Sequence, residues 1–71
     1  MSDYAFKYNT KVRGKRKSHH FTEISDLPTL AAAQTQARGE LTEMQLRDPV
    51  DIRITGAMVR RLPSGSWHNV L

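Results

Sequence analysis

Five basic side chains fall within seven residues, Lys11, Arg13, Lys15, Arg16 and Lys17, with Lys7 just upstream. Cations crowded in this way neutralise phosphates with little geometric demand. They suit an acidic protein surface equally well, and in a small protein a basic loop also serves solubility alone. Arg60 and Arg61 form a second basic site, followed after a turn by Trp67. A tryptophan beside arginines is the composition of a binding hot spot, and it also suits a ring that closes one end of a core. The candidate partner-binding residues are therefore Lys7, Lys11, Arg13, Lys15, Arg16, Lys17, Arg60, Arg61 and Trp67.

Tyr4, Phe6, Tyr8 and Phe21 could stack nucleobases if they shared a face with the bases of the sequence. Strand alternation puts Tyr4, Phe6 and Tyr8 on one side and Lys7 and Lys11 on the other, so the aromatic set is expected in the core. His19 and His20 point to opposite faces of a strand and cannot together hold an ion, and neither Glu23 nor His68 completes a ligand set. Catalysis has no visible apparatus. Ser64-Gly65-Ser66 lacks the strand–elbow–helix context of a nucleophile, and the glycines are too scattered for a phosphate loop. No catalytic residue, metal, cofactor or small-molecule substrate is expected.

These groups belong to a chain of 71 residues with no cysteine. The length predicts a single domain over 1–71 with a small core. Lack of cysteine removes disulfides, thiolate metal sites and a cysteine nucleophile, and it favours a reducing compartment. The longest apolar stretch, Leu30 to Ala33, is far below membrane-span length, so a cytoplasmic location is expected. Charge is segregated: residues 1–22 hold six bases and one acid, residues 23–51 two bases and six acids, and residues 52–71 three arginines and no acid. Such separation predicts a dipolar surface rather than a uniformly basic one.

Tyr4 to Arg13 alternates as a half-buried strand, and the chain turns at Gly14. Ser18 to Ile24 is a partner strand in which Phe21 and Ile24 fall on opposite sides unless a bulge intervenes. Ser25 or Asp26 is expected to cap a helix with Pro28 in its first turn. Leu30, Ala33, Ala37, Leu41 and Met44 form the apolar stripe of that helix to about Leu46, with Gly39 on the opposite side and Asp48-Pro49 closing it. Val50, Ile52 and Ile54 begin a third strand, whose phase shifts after Gly56 to Ala57 and Val59, predicting a bulge at which Gly56 adopts a conformation alanine resists. Leu62 to Ser66 is a turn, and Trp67 to Leu71 a last short strand. The order is ββαββ, an α+β fold with one helix across one face of a small antiparallel sheet. Tyr4, Phe6, Tyr8, Leu30, Ala37, Leu41, Ile52 and Ile54 are the expected core.

The layout resembles small phage-encoded inhibitors of host RNA polymerase, in which an N-terminal hairpin, an alanine-rich helix and an apolar strand follow one another. Phe6-Lys7-Tyr8, Phe21-Thr22-Glu23-Ile24, Leu30-Ala31-Ala32-Ala33 and Val50-Asp51-Ile52-Arg53-Ile54 occupy those places. The strongly basic first hairpin departs from that pattern. The resemblance implies a non-enzymatic regulator that docks on bacterial RNA polymerase and inhibits transcription in the host cytoplasm. The alternative is a domain that binds DNA or RNA directly through the basic hairpin. An RNA-recognition motif would need a glycine–aromatic signature that Ile52 to Met58 lacks, and a helix-turn-helix would need a second helix.

Overall fold

The alternation of Tyr4 to Val12 is realised as β1 (Ser2–Val12), which pairs antiparallel with β2 (Lys17–Leu27) in the computed structural model, where residues 2–48 and 50–71 are described. The reversal is tight. Gly14 takes the left-handed conformation at φ 77°, and Lys15 N–H donates to Val12 O at 2.9 Å. Ile24 points into the core opposite Tyr4, and Phe21 points outward, so the two need no bulge between them. The irregularity lies further on, at Ser25-Asp26, where the register slips between Ser2 and Tyr4. Asp26 sits there at φ 63°, a conformation aspartate tolerates better than most residues, and its N–H donates to Asp3 Oδ1 at 3.1 Å.

That corner moves the helix start from its expected place. Neither Ser25 nor Asp26 caps: β2 runs on to Leu27, and α1 spans Leu30–Arg47 with Thr29 as its N-cap, whose Oγ1 accepts from Ala32 N at 3.1 Å. Pro28 therefore lies outside the helix. Ala33, Ala37 and Leu41 are the buried positions of α1, and two alanines of three let its backbone lie close to the sheet. Gly39 faces open space. Asp48 is the C-cap, its N–H donating to Met44 O at 3.2 Å; Pro49, expected to close the helix with it, lies outside the described residues.

β3 (Ile52–Arg61) pairs antiparallel with the other side of β1, and β4 (His68–Asn69) with β3, giving the strand order β2-β1-β3-β4. The bulge near Gly56 is present: Asn9 faces Gly56 and Thr10 faces Ile54, leaving Thr55 as the extra residue. It restores the apolar phase, so that Ala57 and Val59 join Tyr4, Phe6, Ile24 and the helix in the core. Gly56 itself is not in the left-handed region, and a Cβ there would meet only Asn9 Nδ2 at 3.7 Å. The expectation that alanine is resisted at Gly56 is therefore corrected.

Of the expected core, Tyr4, Phe6, Ala37 and Leu41 are buried together, whereas Tyr8, Leu30 and Ile54 are only partly buried and pack against that cluster. Ile52 is only half-buried and lies outside the core cluster, because it closes the sheet beyond the main body of the helix. Val50, expected to begin the third strand, is instead in a turn before β3 and is 77% exposed. In their place Val59 and Val70 are fully buried. Val70 follows the two-residue strand β4 and is held by α1, with Arg38 Nε donating to Val70 O at 3.0 Å and Gln34 Nε2 to Asn69 O at 3.1 Å. At the other end Gln45 Nε2 donates to Ile52 O at 2.6 Å.

The helix packs mainly on β3 and less on β2, leaving Ser18, His20 and Thr22 exposed. A row of rings fills the step between covered and bare sheet. Phe6 stacks on Tyr8 at 5.0 Å, and Tyr8 on His20 at 4.7 Å. His20 Nε2 is hydrogen-bonded to the buried Thr10 Oγ1 at 3.0 Å.

Candidate functional site

Directly opposed residues of an antiparallel pair share a face, so the registers lay out the side of the sheet away from the helix. Reading across β2, β1 and β3, one row holds Lys17, Lys11 and Arg53. The next holds His19, Asn9 and Gly56. The third holds Phe21, Lys7 and Met58, with Asn69 of β4 beyond, and the fourth holds Glu23, Ala5 and Arg60. Five cations thus share these four rows with one carboxylate, and Asp3, two residues before Ala5 on β1, adds a second just beyond them. No element among the described residues covers this face.

The fourth row is roofed at one corner. Gly65 N–H donates to Arg61 O at 2.7 Å, and a Cβ on Gly65 would fall 2.7 Å from that same oxygen. This close approach needs glycine, and it folds the chain back so that Trp67 lies over the face. Lys7 Nζ stands 4.2 Å from the Trp67 ring centroid and Arg60 Cζ 5.3 Å, both within cation–π range. Arg60 Nε is buried with no hydrogen-bond partner and has the electron-rich ring nearby. Ala5, although on the open face, is 0% exposed beneath this corner.

Phe21 is the opposite case. Its ring is 65% exposed, next to His19 along β2 and Lys7 across the strands. His19 is held in place by Asn9, whose Oδ1 accepts from its Nδ1 at 2.5 Å. Two concavities complete the surface. One of about 280 Å³ opens where Gly56 contributes no side chain, among Lys7, Asn9, Met58 and Asn69. The other, of about 310 Å³, lies at the hairpin end of the sheet among Lys11, Arg13, Val50, Asp51 and Arg53. Arg13 N–H donates to Asp51 O at 2.9 Å, which ties the hairpin to the start of β3.

The nine residues singled out by sequence separate into groups. Lys7, Lys11, Lys17, Arg60 and Trp67 come together on the open face. Arg13, Lys15 and Arg16 form the exposed tip that prolongs it. Arg61 opposes Tyr4 and so belongs to the other face. Sequence reasoning misses Arg53, and it weighs Phe21 as a stacking ring but assigns it to the core, which its 65% exposure corrects. The outward phase of Arg53 is readable from Ile52 and Ile54, but its place beside Lys11 depends on the β1–β3 register. The size of Phe21 argues for the core, although its parity with Glu23 sets it opposite Ile24. Among the described residues no group of three or more His, Asp or Glu side chains could hold a metal ion, and no helix is long and apolar enough to cross a membrane. No protein-family model matches the chain, and no curated protein or solved structure matches it significantly.

Proposed function

We propose that this protein is a non-enzymatic binding module that holds an anionic macromolecule against the open face of its sheet, acting as a regulator of nucleic-acid machinery. The supporting observation is the gathering of Lys7, Lys11, Lys17, Arg53 and Arg60 from three strands onto one largely open face that carries two acids, Asp3 and Glu23, both at its far end from the hairpin. Cations dispersed for solubility alone would not be expected to gather on one face while five of the seven acids lie on the helix and the segments that flank it. The array raises the local potential and steers a negatively charged partner.

A second reading gives that partner a specific identity: an acidic surface of bacterial RNA polymerase, with inhibition of transcription as the outcome. It is favoured by the concavity at the hairpin end, where Val50 stands among Lys11, Arg13 and Arg53, with Asp51 as the one acid of the lining. An exposed apolar side chain among three cations and one acid suits a protein surface that presents an apolar side chain among carboxylates.

Salt dependence tests the proposal. Purified bacterial RNA polymerase, duplex DNA and single-stranded oligonucleotides serve as probes, against the parent and a Lys11→Gln, Lys17→Gln, Arg53→Gln variant. For nucleic acid, the slope of log affinity against log salt is expected to shrink by up to about 3 in the variant, roughly one for each phosphate no longer neutralised. For polymerase, slower association with a weaker salt dependence is expected. A parent that binds none of the three probes at low salt overturns the proposal.

A further inference from the structure

The open face carries two features that an electrostatic surface does not need. One is an exposed aromatic ring, Phe21, on its edge strand β2. The other is a dip at a glycine whose backbone does not require glycine. Gly56 has an ordinary φ and room for a Cβ, so its missing side chain alters the shape of the face rather than the path of the strand. Beside that dip, Asn9 gives its Oδ1 to His19 and keeps its Nδ2 directed over Gly56, and Asn69 stands on the far side. An amide pair lining a hollow of about 280 Å³ is suited to the donor and acceptor pattern of a base edge.

Resting on the proposal that an anionic macromolecule occupies this face, we infer that its ligand is a single-stranded nucleic acid, with one base stacked on Phe21 and another seated over Gly56. Lys7 lies on the strand between the two positions, beside Phe21 of β2 and one row from Gly56 of β3, and Lys11 and Arg53 lie beyond the dip, where the sugar–phosphate chain of such a strand would run. Trp67 is not the stacking platform: Lys7 and Arg60 already occupy its surroundings. Its part is to hold those two cations at the border of the site. A duplex does not fit this arrangement, because its bases are stacked on one another and only their edges reach the grooves. An acidic protein surface matches the cations and can also cover a phenyl ring, but it does not call for that ring together with an amide-rimmed hollow.

The experiment measures fluorescence anisotropy of labelled single-stranded DNA and RNA of about 12 nucleotides, a length within the range one such face covers, beside a duplex of the same length. The single strands are expected to bind more tightly than the duplex at equal salt. Phe21→Ala is expected to weaken single-strand binding by about 5- to 150-fold, the range for one stacked base. Phe21→Trp should restore it, and Phe21→Leu, which keeps the apolar area without the π face, should not. Gly56→Val fills the dip with a residue favoured in strands and is expected to weaken single-strand binding while its thermal melt matches the parent's. Equal affinity for duplex and single strand, or Phe21→Leu binding as well as the parent, overturns the inference and leaves the anionic-partner proposal standing. Binding to purified RNA polymerase with none to either oligonucleotide has the same effect. Failure to bind every probe overturns both.

Discussion

Tyr4, Phe6 and Thr10 face the helix, and Lys7, Asn9 and Lys11, interleaved with them on the same strand, face solvent. The two sides of the sheet are built from alternate residues of one stretch of chain and share every backbone hydrogen bond between them. They differ in what they leave satisfied. On the helix side apolar area is removed from water, and the one buried polar side chain among the described residues, Thr10, is hydrogen-bonded. On the other side a ring, an array of cations and a glycine hollow remain open. In a domain this small, the core cannot be thinned without loss, so the strand pleat lets one face specialise for stability and frees the other for recognition.

The largest test of this division compares the two phenylalanines. Phe6→Ala is expected to cost about 3–5 kcal/mol, seen as a fall in melting temperature of more than about 10 °C, and Phe21→Ala less than about 0.5 kcal/mol. Thermal denaturation by circular dichroism measures both, and equal losses would break the comparison. The adjacent histidines repeat it at smaller scale. Removing His20 takes away the partner of buried Thr10 and the stack on Tyr8, so His20→Ala is expected to cost about 1–3 kcal/mol in urea unfolding. His19→Ala should stay within about 0.5 kcal/mol, because its bond to Asn9 is exposed. If His19 proved the costlier, the open face would be contributing to stability as well. Glycine substitutions sharpen the picture further. Gly65→Ala is expected to destabilise by about 1–3 kcal/mol, since its Cβ collides with Arg61 backbone. Gly39→Ala, on the bare side of the helix, should stabilise by about 0.8–1 kcal/mol. Gly56→Ala should change stability by less than about 1 kcal/mol. A large loss at Gly56 would show that the hollow is a by-product of a backbone need.

Much of the fold was legible because period-two and period-3.6 patterns are strong in Tyr4 to Val12 and in Leu30 to Met44. The bulge at Gly56 was legible too, from the slip of phase between Ile54 and Ala57. The helix cap was not, because Ser25, Asp26 and Thr29 are all capping residues, and only the corner at Asp26 decides among them. Val70 could not be recognised as core from a three-residue context: its burial depends on Arg38 and Gln34 reaching from a distant element. The candidate surface was half legible. The bases announce themselves by composition, whereas the company they keep is set by register. Pairing Lys11 with Arg53, or Phe21 with Lys7, requires knowing that β1 is central.

That central place of β1 also dictates an order of events in folding. Its pairing with β2 closes across the short turn at Gly14, a local step of the kind completed in about 1–10 μs. Its pairing with β3 joins Val12 to Ile52 at the nearest and Tyr4 to Arg61 at the farthest, so a long loop must close before any of that ladder forms. The entropy of that closure sets the height of the barrier, and topology rather than stability governs the rate. Until it closes, one side of β1 remains an unpaired edge, which makes the interval before β3 docks the period when the chain is most open to pairing with a neighbour.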